Sequence, residues 1–181
     1  IQLDDQTVDN VFVRLGHGDN RFGISGHEAI DRVIYLGGAG SDTLNVGVDT
    51  EFMAMALMRA GDDAVNILAD SNRVRILAGH GDDTIRLGSE THANVVSARL
   101  GDGDNSFESN SQVRNRLFVR AGQGDDQVVI GEDAAIGGKL NVVLGHGDNG
   151  LNMAGTVLGR FNVRAGLGND NVAITAEANI G

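Results

Sequence analysis

Apolar residues recur along this chain on two length scales. Over short distances they alternate with polar ones, as in Val11, Val13 and Leu15 or Leu117, Val119 and Ala121. A period of two predicts β-strands. A second alternating pair follows each of these after a short break: Phe22 and Ile24, Leu44 and Val46, Val65 and Ile67, Ile85 and Leu87, Val128 and Ile130, Val172 and Ile174. A third, weaker apolar position comes later still, at Ile30, Phe52, Ile136 and Ile180. Each unit of the pattern therefore holds two clear strands and a third short one.

Over long distances the whole pattern repeats. Between the first and second strands lies a Gly-x-Gly-Asp-Asp-like turn, whose second glycine falls at Gly18, Gly40, Gly61, Gly81, Gly103, Gly124, Gly147 and Gly168, at spacings of 20 to 23 residues. The segments VRILAGHGDDTIRLG from Val74 and LFVRAGQGDDQVVIG from Leu117 show the correspondence; the copy around Gly61 lacks two turn residues. A unit this short cannot bury its apolar positions alone. Stacking the copies ~4.8 Å apart, the spacing of strands in a sheet, lines those positions into internal columns. The expected fold is all-β: a parallel β-helix, or β-solenoid, of about eight coils of ~21 residues with two to three short strands each, forming one domain over residues 1–181. An antiparallel sandwich would also alternate, but it has no need of the same turn in every unit.

Composition sharpens this picture. There are 27 glycines and no proline or cysteine, so glycine serves recurring backbone positions and no disulfide framework exists. The net charge of -11 and the single lysine, Lys139, argue against nucleic acid and towards cations as charged partners. No apolar run is long enough for a membrane span. Ile1 and Leu3 match Phe22 and Ile24, as if a preceding turn had just finished, and Gly181 closes a coil. A segment of a longer array is expected, with neighbouring coils or end-to-end self-association as the partner.

Candidate chemistry gathers at the turns. In a solenoid the last turn residue forms a ladder of Asn20, Asp42, Asp63, Asp83, Asn105, Asp126, Asn149 and Asp170, and the residue before it forms a second, from Asp19 to Asn169. Stacked carboxylates ~4.8 Å apart repel by roughly 3 to 4 kcal/mol at an effective dielectric of 20. Relief must come from fanning into solvent, protonation, replacement by asparagine, or a divalent cation between turns. Carboxylates with backbone carbonyls make an all-oxygen set that suits calcium.

LGGAGSDTLNVG, from Leu36 to Gly47, resembles the nonapeptide GGxGxDxUx of RTX (repeats-in-toxin) calcium-binding proteins, with U a large aliphatic residue. AGHGDDTI from Ala78, AGQGDDQV from Ala121 and AGLGNDNV from Ala165 resemble it with the first glycine replaced. The resemblance implies calcium held between coils, export from a bacterium, and Asp42, Asp63, Asp83, Asp126 and Asp170 in the ligand position, with Asn20, Asn105 and Asn149 occupying the same place. This chain departs from that family in having one turn per coil of about 21 residues instead of two per 18.

Arg14, Arg59, Arg99, Arg120 and Arg164 precede their turns on outward positions. Arg14, Arg99, Arg120 and Arg164 are candidate contacts for an acidic or sulfated glycan; they also balance the nearby acids. His17, His80 and His146 fall in coils too far apart to share an ion, and read as solvated turn residues. Catalysis in a β-helix needs convergent groups that break the repeat, and none is evident. The expected function is a non-catalytic structural module, extracellular or at the cell surface, stabilised by calcium. A glycan-binding adhesin module is the alternative, and a polysaccharide-active enzyme is a third.

Overall fold

The computed structural model describes residues 8–26, 30–48 and 52–181, and within them strands but no helix. Every pairing is parallel, and consecutive coils pair with one another, as a solenoid requires and a sandwich does not. One sheet collects the strands after each turn: Arg21–Gly26, Thr43–Val48, Ala64–Ile67, Thr84–Leu87, Ser106–Ser109, Gln127–Ile130, Gly150–Met153 and Asn171–Ile174. The facing sheet collects those before it: Val8–Arg14, Ile30–Leu36, Phe52–Ala60, Ser71–His80, His92–Asp102, Gln112–Ala121, Lys139–Val143 and Phe161–Arg164.

The third strand differs from the expectation of a separate short element in every coil. Among the described residues it stands apart only as Ala135–Ile136, Thr156–Val157 and Asn179–Ile180. In earlier coils it runs into the strand before the turn, with register shifts at Phe52/Met53 and Val113/Arg116 marking the bend. Gly137 and Gly138 interrupt the run where it divides. The correspondence of Ile1 and Leu3 with later coils falls outside the described residues.

The alternating positions become the core. Phe22, Leu44, Val65, Ile85, Phe107, Val128 and Leu151 form one buried column, in register from coil to coil. In the last coil Val172, Ile174 and Ile180 are exposed. Phe107 is the largest residue in the middle of that column and is fully buried, between Ile85 and Val128. Because its neighbours are aliphatic and well packed, Phe107→Leu is expected to cost only about 1 kcal/mol, read from urea unfolding at constant slope.

Candidate functional site

The two adjacent turn residues point in opposite directions, so their ladders have different fates. The first is exposed. There a carboxylate accepts the backbone N–H of the equivalent residue one coil later: Asp19 from Ser41 (2.8 Å), Asp62 from Asp82 (2.9 Å), Asp82 from Asp104 (2.7 Å), Asp104 from Asp125 (2.7 Å), Asp125 from Asp148 (2.7 Å) and Asp148 from Asn169 (2.7 Å). This ladder fans its acids into solvent, one of the forms of relief open to stacked carboxylates.

The second ladder, the position of the proposed ligands, is interior. Asp42, Asp63, Asp83, Asn105, Asp126 and Asn149 are all buried. Its hydrogen bonds run the other way, each Oδ1 accepting the N–H of the preceding coil: Asn20 to Asp42 (3.0 Å), Asp42 to Asp63 (2.6 Å), Asp63 to Asp83 (2.9 Å), Asp83 to Asn105 (3.0 Å), Asn105 to Asp126 (3.2 Å) and Asp126 to Asn149 (3.0 Å). The turn has left its sheets and its amides need acceptors, which these side chains supply.

The second oxygen is where aspartate and asparagine part. In the asparagine coils the amide nitrogen donates to a carbonyl of its own turn: Asn20 to Gly18 (2.6 Å), Asn105 to Gly103 (2.8 Å) and Asn149 to Gly147 (2.9 Å). It also donates to the next carboxylate, Asp42, Asp126 or Asp170, at 2.8 Å in each case. With acceptors on both sides, a donor is what that place requires. Aspartate offers an acceptor instead. Asp42 is spared, because its Oδ2 takes the Gly38 N–H at 2.9 Å. At Asp63, Asp83 and Asp126 the Oδ2 is buried with no hydrogen-bond partner.

The electrostatics follow from this geometry. Burial pushes Asp63 up to about 6 and Asp126 up to about 6, opposed by the N–H bonds that lower them and assisted by the neighbouring carboxylates. Asp83 is pushed up to about 7, again by burial first and then by Asp63, Asp62 and Asp82. The buried Tyr35 hydroxyl, also without a partner, is held neutral by burial and by Asp42 and Asp63, up to about 12. Each orphaned carboxylate oxygen therefore calls for a positive charge or a proton.

Calcium fits that demand in donor type, since every group available is an oxygen, and fits Asp63, Asp83 and Asp126 best. The amide nitrogens of Asn20, Asn105 and Asn149 already occupy the corresponding place. Asp170 accepts from Asn149 and is only partly buried. Among the described residues no three His, Cys, Asp or Glu side chains converge as a metal cluster, so backbone carbonyls would supply most of the shell.

The histidines behave as turn residues: His80 is exposed, 3.6 Å from Asp102, and the Nδ1 of His146 accepts the Leu167 N–H at 3.2 Å. Arg59 departs from the other arginines. It sits in the column of the turn glycines Gly79 and Gly101, at φ 89. Contrary to the sequence expectation, its copy lacks no turn residue: Leu57, Arg59 and Ala60 pair with Leu77, Gly79 and His80, so Arg59 replaces the first turn glycine. Arg14 shares a register column with Arg99, Arg120 and Arg164, but Leu36, Leu57 and Leu77 separate it from them. The column also holds Val143, between Arg120 and Arg164. No family model, curated protein or solved structure matches the chain.

Proposed function

We propose that this chain is a non-catalytic structural module of an exported or cell-surface bacterial protein, and that calcium stabilises it through Asp63, Asp83 and Asp126. The observation that carries the reading is the continuous register of the sheet after the turns, whose core column and adjoining inner turn ladder pass from coil to coil, with no inserted loop or convergent site among the described residues. Such an array makes length and stiffness its product. A second copy seated end to end would cover the exposed Val172, Ile174 and Ile180.

A cation that binds only the folded chain stabilises it by mass action, so passage from a calcium-poor to a calcium-rich compartment would favour folding outside the cell. At pH 8, 5 mM calcium is expected to raise the melting midpoint over EDTA by roughly 5–10 °C, the shift for ~2.7 kcal/mol at a hundredfold excess over Kd in a chain of this size. Magnesium should do less, since it demands tighter octahedral geometry. An unchanged midpoint would remove calcium from the reading. Incubation with pectate, alginate and xylan should release no reducing ends; release abolished by a point substitution would make the chain an enzyme.

A further inference from the structure

The chain is strongly acidic, yet most of its basic residues lie on the sheet before the turns. On the sheet before the turns, Arg116 aligns with Lys139, and Arg160 occupies the next coil, one residue before the Phe161 that pairs with Leu140. Four residues further along each strand, Arg99 aligns with Arg120, and Arg164 follows after Val143. These six side chains are exposed. They form two rails about 13 Å apart, the length of four strand residues, with positions every ~4.8 Å along the solenoid.

Between the rails runs a column of Phe118, Asn141 and Asn162, with Asn162 donating to Asn141 at 2.9 Å. Phe118 is partly exposed. Part of the channel between the rails is a cavity of about 470 Å³ lined by Arg116, Phe118, Asn141, Arg160, Asn162 and Arg164. No aspartate or glutamate occurs in residues 93–100, 114–121, 137–144 or 159–165, the stretches that build it. None of the six cations makes an ion pair within the described residues, where the one arginine pair is Arg86 with Glu108 on the other sheet. Like charges placed directly opposite on neighbouring strands destabilise a sheet, so this arrangement is unfavourable until an anion lies across it.

We propose that this channel binds a linear anionic polysaccharide, carboxylated or sulfated, laid along the solenoid axis between the two rails. Arginine forks take its carboxylate or sulfate groups from both sides. The amide ladder offers donors and acceptors for hydroxyls, and the Phe118 ring offers an apolar face against which a sugar ring packs. Nucleic acid fits less well: one aromatic ring is no stacking platform for successive bases, and the rest of the surface is acidic. The channel is independent of the turn ladders, so this site stands whether or not calcium binds there.

The test uses the whole chain in 50 mM salt, with heparin and polygalacturonate as probes and neutral dextran as control. Both anionic polymers should bind, more weakly as salt rises, and dextran should not. The triple variant Arg116→Gln, Arg120→Gln, Arg164→Gln should lose at least tenfold in affinity with an unchanged melting midpoint. Arg21→Gln with Arg86→Gln, which removes charge from the other sheet, should lose less than twofold. No binding to either polymer overturns the proposal, as does equal loss in the two variants. Tighter binding to single-stranded poly(dT), or to vesicles of phosphatidylglycerol, would assign the face to those partners instead.

Discussion

Asp83→Asn is expected to raise the melting midpoint in EDTA at pH 8 and to raise it less than half as much at pH 5. The asparagine keeps the Oδ1 that accepts the Asp63 N–H and replaces the orphaned Oδ2 by a donor, as Asn105 does one coil on. The sign follows from linkage. Burial raises Asp83 to about 7, and Asp63 and Asp126 to about 6, so the folded state holds these protons more tightly than the unfolded chain. Their contribution to stability is complete below about pH 4, where the free carboxyl is itself protonated, and is lost as pH rises through 6 and 7. At ~1.4 kcal/mol per pH unit, the gap for Asp83 sets a ceiling on the order of 4 kcal/mol, and about half of that survives relaxation of the buried site. The midpoint should rise by roughly 4–8 °C.

The triple variant Asp63→Asn, Asp83→Asn, Asp126→Asn should flatten the pH dependence above pH 5 and abolish stabilisation by calcium. The wild-type chain should show the reverse of ordinary acid denaturation, melting higher at pH 5 than at pH 8 in EDTA. Destabilisation by Asp83→Asn at pH 8, or a gain of the same size at both pH values, would show that the carboxylate carries no desolvation penalty there. On the proposed reading protons would compete with calcium for the same three oxygens, so calcium should raise the midpoint more at pH 8 than at pH 5.

The coil period and the core columns were legible in the sequence because stacking reads one position many times over. Phe22, Leu44, Val65, Ile85 and Phe107 each ask for the same environment, and one disagreement among them would be visible. The inside and outside of the turn were not legible. Asp62 and Asp63 are identical residues one position apart, yet one accepts from the following coil at the surface and the other from the preceding coil in the interior. The asparagines carried the clue: Asn20, Asn105 and Asn149 stand where a side chain must both accept and donate, which a solvated ridge would not require. The second basic rail was missed for a different reason. Arg116, Lys139 and Arg160 are far from the turn in sequence, and only the register places them beside Phe118 and Asn141.

Gly103→Ala is expected to cost about 3–5 kcal/mol, enough to abolish folding of a marginally stable chain. Gly103 has φ +123, a conformation in which an L side chain is strained by ~1–3 kcal/mol. A Cβ there would also overlap the carbonyl oxygen of Gly81 one coil below and stand 2.6 Å from its carbon, with Asp82 Oδ1 at 3.0 Å. The backbone cannot move aside, since the Gly103 N–H donates to the Gln123 carbonyl at 2.7 Å and the same stacking recurs at Gly124 and Gly147. Overpacking of this kind adds another ~1–3 kcal/mol. Gly23 provides the contrast. It lies in a strand, its φ is ordinary, and a Cβ would meet nothing within 4 Å. Gly23→Ala should therefore stabilise by roughly 0.5–1 kcal/mol through the unfolded chain alone. Urea unfolding of the two variants separates the close-stacked turn from glycine content in general; equal effects would mean that the turns do not stack at the observed distance.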